Sequence, residues 1–600
     1  MQAAAQEYFQ QGTLLAQGGR LDEAIAALRQ AVALRPDLAE AHFNLGSAYR
    51  DRGNAAHARE AYRRAVELRP AWADAQLALG TVLRELGELG AAVEHLSRAA
   101  ALQPDLAEAH MELGHACTPT GDWRAAVSHF QRAIALRPDD AKAHWAAVMA
   151  QIPAMEEPGV DIEERRSAFA GELAALERWL HAGPRPDAFA AVAVHQPFFL
   201  AYHEKPNREL LAPYGRLCVE LMSDWQARTG LVLPGRRERG RLRIGIVSAH
   251  IFNHSVWTAL GRGWLERLTR RRLFRRRYEV HLFHLGVQRD AETRFAQSRA
   301  TRFEQGQHSF ADWARRIHAA ALDILIYPEI GMDATTAKLA SLRLAPVQAV
   351  SWGHPETSGL LTMDYFVSAA GLEPPDAQAN YAERLEALPG LGCWITRTPR
   401  PTPDSVALPP GRPCLVCPGT PFKYTARHER IFTSIAARVP GSRFVFFRGQ
   451  PAELARKLEA RLRRAFEGAH LDFERHVAFV PWQTLDSFRG VLAQADLYLD
   501  TLGFSGFNTA LQALECGLPI VAHEGRFLRG RFASGMLKHI GLPELVAHSD
   551  DAYIELAVAL ASDAERRADL RRRIARQREA LYEDERPVAA LEAFIARVAR

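Results

Sequence analysis

The chain has 600 residues, 48% of them apolar, and a formal net charge of +5. That apolar share excludes extended disorder, and so mild a basic excess does not call for nucleic acid. Six cysteines form no regular framework, which argues against a disulfide scaffold and fits a reducing compartment.

From the N-terminus, proline recurs at Pro36, Pro70, Pro104 and Pro138, glycine at Gly12, Gly46, Gly80 and Gly114, and alanine at Ala31, Ala65, Ala99 and Ala133. This spacing marks a tetratricopeptide array over residues 1–150, a stack of helix pairs with a concave face. The small Gly46 and Ala58 let paired helices approach, Tyr62 and its counterparts Leu28, Leu96 and Phe130 fill the layer between them, and Pro70 ends the second helix. Such a groove suits an extended protein or peptide acceptor. A spacer or dimerising arm is the other reading, so a homodimer stays open. Asn44 can hydrogen-bond a peptide backbone, but Ala78 and Glu112 follow at its position, so no asparagine ladder exists.

Residues 151–240 read as a helical linker region, closing on the polar, basic stretch 235–240. Residues 241–396 change grammar. Short apolar strands are expected at Leu242–Ser248, Tyr278–His284, Leu322–Tyr327 and Val347–Trp352, with helical segments such as Phe310–Ala321 between them. That alternation implies a doubly wound sheet, with ligands at the carboxyl ends of its strands. His254, Glu329 and His354 fall in such positions. Residues 397–412 form an interlobe linker rich in proline (Pro399, Pro401, Pro403, Pro409, Pro410). In residues 413–600 strands recur at Pro413–Val416, Arg443–Phe447, Val477–Val480, Leu497–Asp500 and Ile520–Ala522, before terminal helices. Two such lobes leave a cleft suited to a small molecule.

Several chemistries lack their motifs. There is no GxGxxG after the Ile244 strand, no Gly-Lys-Ser/Thr phosphate loop and no HExxH, and the CxxC of Cys414 and Cys417 stands alone. No signal-type apolar run and no membrane span of about 20 apolar residues occurs, so a cytoplasmic location without a membrane partner is expected. The informative motif is Gly503-Phe504-Ser505-Gly506-Phe507-Asn508-Thr509, between a strand and the helical stretch Ala510–Glu515. Gly506 allows a sharp turn there. Asn508 or Thr509 can cap the helix, or the first-turn amides can face a diphosphate.

Together with Ser248–His254, Ala345–Gly359, Asp364–Phe366, Glu383–Pro389, Phe422-Lys423, Asp500–Thr509 and Glu515–Val521, this motif resembles the O-linked N-acetylglucosamine transferase family, including its plant Spindly-like and bacterial members. The resemblance runs over nearly the whole chain. It implies a tetratricopeptide superhelix followed by two Rossmann-like α/β lobes of GT-B type, inverting transfer from a UDP-sugar, no prosthetic group and no metal. UDP-GlcNAc and serine or threonine hydroxyls are the best-known substrates of the family. Other members use GDP-fucose, or transfer glucose to asparagine. The resemblance puts Lys423 at the diphosphate and His254 at the active site as base or hydrogen-bond partner. It puts His354, where many members carry tyrosine, at the donor or against Glu356. Gly506, Asn508 and Thr509 then hold the phosphates, although many members have paired threonines at the last two positions. Gln512 replaces a ribose-binding aspartate, Phe507 replaces a histidine, and Arg531 lies near the donor. These departures leave open another nucleotide sugar, or a scaffold that has lost donor binding.

Overall fold

The structure, a computed structural model, describes residues 1–232, 240–270, 277–397, 408 and 412–599. The basic stretch at 235–239 and the prolines Pro399, Pro401, Pro403, Pro409 and Pro410 lie outside the described residues. The chain forms two compact units, Met1–Ala154 and Met155–Arg600.

The first unit is the repeat array. Its helix pairs are Gln2–Gln17 with Leu21–Leu34, Ala39–Asp51 with Ala55–Leu68, Ala73–Glu85 with Leu89–Leu102, and Ala107–Thr120 with Trp123–Leu136, followed by Ala141–Met149. Within each pair a glycine faces a large side chain. A Cβ built on Gly46 would lie 2.7 Å from the Tyr62 ring, and one on Gly114 would lie 2.4 Å from Phe130. Leu28, Tyr62, Leu96 and Phe130 are all at most 1% exposed. Each therefore contributes the full burial of a large apolar side chain, about 1.5–3 kcal/mol.

A second periodic contact closes the joints between pairs. His42 Nε2 lies 3.0 Å from the Pro36 carbonyl, Gln76 Nε2 donates to Pro70 O at 2.8 Å, and His144 Nε2 lies 2.8 Å from Pro138 O. His110 makes the corresponding bond to Pro104. Each proline ends a helix, and the next helix supplies a side chain for its carbonyl. Asn44 is spent inside the array, its Nδ2 donating to Thr13 Oγ1 at 2.9 Å. Glu112, at the same repeat position, pairs with Arg84 at 2.7 Å.

The second unit holds two parallel sheets. The first contains β1 (Leu242–Ser248), β2 (Tyr278–His284), β3 (Arg302–Gln305), β4 (Ile324–Tyr327), β5 (Val347–Ser351), β6 (Tyr365–Ala369) and β7 (Arg384–Leu388), in the order β3-β2-β1-β4-β5-β6-β7. The second contains β8 (Cys414–Cys417), β9 (Arg443–Phe447), β10 (Val477–Val480), β11 (Leu497–Leu499), β12 (Ile520–His523) and β13 (Val546–Ala547), in the order β10-β9-β8-β11-β12-β13. β4, β5 and β8 are buried along their whole length, as strands covered on both faces require. Strand order reverses between β1 and β4 in one sheet and between β8 and β11 in the other. These switch points open crevices at the strands' carboxyl ends.

Residues 155–232 pack as part of this unit. A Cβ on Gly215, in helix Arg208–Thr229, would lie 2.0 Å from the Gly359 carbonyl, so only glycine lets the helix press against the loop after β5. A buried polar node ties this segment to both lobes. Arg529 Nη1 pairs with Glu356 Oε2 at 3.0 Å, with the two side chains 3% and 6% exposed. Arg529 Nη2 also donates to the carbonyls of His203 and Lys205. Asn207 donates to Glu356 Oε2 at 2.7 Å and accepts from Arg166 at 2.6 Å.

Candidate active site

Both switch points face one cleft of about 510 Å³ between the lobes. The first lobe contributes Asn253, His254 and Ser255 from the loop after β1, with Thr258, Arg262 and Glu292. The second contributes Pro418–Thr420 after β8, Phe447 at the end of β9, Trp482 after β10, Phe488, and Asn508, Thr509 and Gln512 of helix Asn508–Glu515.

The loop after β1 is fixed from several sides. Asn253 N donates to Asp290 Oδ2 at 2.7 Å, and Asp290 also caps the helix Ala291–Arg299 that carries Glu292. His254 stacks on His250 with centroids 4.2 Å apart and 27° between planes. Its Nδ1 accepts the Val256 N–H at 3.3 Å. Burial, with a smaller push from His250, lowers the His254 pKa to about 4, so the ring is neutral near pH 7. Glu292 Oε2 accepts from Trp257 Nε1 and from Arg262 Nε, each at 2.9 Å.

In the second lobe the turn after β11 is organised by Asp500, which is 2% exposed. Its carboxylate accepts from Gly506 N at 3.0 Å and from Ser505 Oγ at 2.6 Å. Burial raises its pKa, and these hydrogen bonds and the Lys423 charge oppose the rise. Lys423 sits on the short turn Pro421–Lys423 with its Nζ 4.4 Å from the Phe504 ring centroid. Burial pulls its ammonium below the ordinary lysine range and the Asp500 charge partly restores it. Among the described residues no carboxylate stands within 4.0 Å of that ammonium. Phe504 in turn stacks on Tyr202, with centroids 4.6 Å apart, and Tyr202 meets Phe422 edge-on.

Of the residues singled out by sequence, the cleft brings together His254, Phe507, Asn508, Thr509 and Gln512. Lys423 does not line the cleft itself; it lies after β8, three residues past Thr420, which does. Gly506 has a different role from the expected one. Its N–H is committed to Asp500, and a Cβ there would lie 2.2 Å from Thr509 Oγ1, so it shapes the turn. Neither Asn508 nor Thr509 caps the helix. Phe507 holds the cap position without a side-chain bond, Asn508 Nδ2 reaches the Ser255 carbonyl in the other lobe at 3.2 Å, and Thr509 bonds Tyr498 OH at 2.9 Å. Phe507 packs against Trp352 and Phe532.

Two other residues stand outside the cleft. His354 is 8% exposed, stacks on Phe198 at 5.1 Å and lines a separate cavity of about 40 Å³. Burial lowers its pKa to about 4. The expected Glu356 partner is taken by Asn207 and Arg529. Arg531 pairs with Glu524 and donates to Gly525 O.

The aromatic wall of Phe447, Trp482 and Phe488 was not singled out by sequence. Only an apolar residue at a strand's last position or just past it signals each of the first two, and that signal is shared with ordinary core positions. Trp482 is 69% exposed, which marks it as more than core. Glu292 was missed because its partners lie 30 and 35 residues away. Among the described residues no three His, Cys, Asp or Glu side chains group as a metal site, and no helix is long and apolar enough to cross a membrane.

The model of glycosyl transferase family 41 matches residues 189–391 and 430–586, more than half of the chain. The chain belongs to glycosyl transferase family 41. Tetratricopeptide models match within residues 12–143. Among curated relatives, the family-41 chain is 29% identical over 255 residues to a probable UDP-N-acetylglucosamine–peptide N-acetylglucosaminyltransferase SPINDLY of Solanum lycopersicum, covering 42% of this chain and 27% of that protein. It is 26% identical over 256 residues to a UDP-glucose:protein N-beta-glucosyltransferase of Actinobacillus pleuropneumoniae serotype 7 (strain AP76), covering 42% of this chain and 40% of that protein. These matches span 27–40% of those relatives' own length. Among solved structures, a Thermobaculum terrenum O-GlcNAc transferase mutant superposes with a TM-score of 0.68 at 24% identity, covering 94% of this chain and 97% of that one. That likeness shows the fold: a tetratricopeptide array followed by the two parallel-sheet lobes of a GT-B glycosyltransferase.

Proposed function

We propose that the chain is an inverting protein O-glycosyltransferase that moves N-acetylglucosamine from UDP-GlcNAc to serine and threonine hydroxyls. The observation that carries this reading is an interlobe cleft lined by both His254 and the Asn508–Gln512 helix start. In this reading the nucleobase lies against Phe447, Trp482 and Phe488. The diphosphate faces the uncapped first turn of helix Asn508–Glu515, where free amides and the helix dipole favour an anion. Gln512 meets the ribose with a neutral amide. Lys423 supplies the positive charge that meets the growing negative charge on the departing diphosphate, which stabilises the transition state more than the ground state. The Asp500 charge opposes the effect of burial on that ammonium, which favours its charged form. His254, neutral near pH 7, contacts the sugar or the acceptor. Ser255, Thr258 and Glu292 form the wall left for the acceptor hydroxyl.

We assign the repeat array to protein capture and the reaction to the cytoplasm, where the six free cysteines remain reduced. The asparagine-directed reading, with UDP-glucose as donor, draws support from the neutral Gln512 and Asn508 and from the likeness to the Actinobacillus enzyme. The test is to incubate the protein with UDP-GlcNAc, UDP-glucose and GDP-fucose beside cell-lysate proteins, and to read modified peptides by mass. N-acetylhexosamine on serine or threonine is expected. Hexose on asparagine would install the second reading. No transfer and no UDP binding would leave a scaffold.

A further inference from the structure

Behind His254 lies a buried group of side chains at the β1/β4 switch point. β1 ends at Ser248, and Glu329 follows β4 by two residues. Glu329 is fully buried. Its Oε1 accepts from Ser248 Oγ at 2.8 Å and lies 3.0 Å from His250 Nδ1, while Oε2 has no hydrogen-bond partner. The His250 backbone N–H donates to Ser248 Oγ at 2.9 Å. His250 is thus held at its main chain and at its ring, and the His254 ring stacks on it. A buried carboxylate with one idle oxygen is costly, and the β1/β4 pairing has no need of it.

His254 itself is constrained in a second way. Its Nδ1 accepts the Val256 N–H, and a neutral imidazole that accepts at one nitrogen carries its hydrogen on the other. We infer that Glu329 and His250 are positioning residues which hold the His254 ring in place against the Val256 amide that keeps it in the Nε2–H form, so that His254 gives a hydrogen bond in the reaction and does not take the acceptor's proton. The inference rests on the glycosyl-transfer reading for its kinetic part. Glu329 fixes His250 through Nδ1, His250 fixes the plane of His254 by stacking, and the Val256 amide fixes its tautomer. A small shift of such a ring relative to a reacting centre is enough to slow a reaction strongly.

The test uses the full chain with Glu329→Ala, Glu329→Gln and His250→Ala, steady-state kinetics, and 15N spectra of histidine-labelled protein with the His254 signals assigned through His254→Gln. Glu329→Ala and His250→Ala are expected to lower kcat by about 10- to 100-fold while KM for the nucleotide sugar stays within about twofold. Glu329→Gln is expected to keep kcat within about threefold, because an amide oxygen still accepts from Ser248 and His250. In the unaltered protein His254 Nδ1 should resonate as an unprotonated nitrogen, and in His250→Ala that preference should weaken. Unchanged kcat in both alanine variants, or an Nδ1–H form of His254 in the unaltered protein, would overturn the inference. If Glu329→Ala does not fold, His250→Ala and the spectra decide. If no nucleotide sugar is turned over at all, the function proposed above fails, while the nitrogen spectra still decide the positioning role.

Discussion

The repeat array and the catalytic lobes are built from contacts of different reach. In the array the decisive pairs are close in sequence: Gly46 with Tyr62, Gly114 with Phe130, Gln76 with Pro70. In the lobes they are far apart: Ser248 with Glu329, Ser255 with Asn508, Glu356 with Arg529. A short contact repeats with the chain and tolerates small lapses in any one unit. A long contact occurs once, and both the site and the lobe arrangement depend on it.

That difference can be broken most forcefully at Arg529. Arg529→Ala leaves the Glu356 carboxylate and two carbonyls without their partner in a buried place. It should destabilise the lobes by about 3–5 kcal/mol and leave the array's own transition in place. Calorimetry of the full chain, resolved into two transitions, checks this. A Tm unchanged for both would show that the node is dispensable. Next in size, Lys423→Ala should lower kcat about 10²- to 10³-fold with both transitions unmoved. Sugar transfer at the unaltered rate would remove Lys423 from the chemistry.

The array offers the converse. Gly114→Ala drives a Cβ to 2.4 Å from Phe130 and should cost about 1–3 kcal/mol in the array's transition, with kcat on a short peptide acceptor unchanged. A kcat loss on that peptide would join two regions that the comparison keeps apart. Acid acts on the lobes through three buried histidines of the second unit. Burial holds His203 and His428 at about 3 and His354 at about 4, below the ordinary 6.5. Between those values and 6.5 the unfolded chain binds more protons than the folded one. Stability is therefore full above pH 6.5 and lost as pH falls toward 4, by up to about 1.4 kcal/mol per pH unit for each histidine. Denaturant midpoints at pH 7 and pH 5 measure it, and equal midpoints would refute it.

The same contrast governs what the sequence could disclose. The 34-residue spacing announces the array, and apolar runs announce β1, β2, β9 and β10 along their whole lengths. β3, with the sequence Arg-Phe-Glu-Gln, and β13, only two residues long, carry no comparable signal. Edge position explains the polar character of β3, since its outer side meets no other strand. At the site, His254, Asn508, Thr509 and Gln512 were legible because a strand end and a family motif mark them. The use of Gly506 was not, because its amide is claimed by Asp500 only after the turn has closed. Nor was the place of His354, whose stack on Phe198 joins residues 156 positions apart. The Gln76 bond to Pro70 was equally unread, although periodic, because one glutamine stands among three histidines in that role and the two types share no obvious pattern until both are seen to reach a carbonyl.

That last contact bears on how such an array changes length. Every unit arrives with the latch that seals its predecessor, so duplication or loss of a whole unit brings the matching joint with it. Growth by copying then needs no compensating change at the junction, and the length of the array becomes a matter of counting modules.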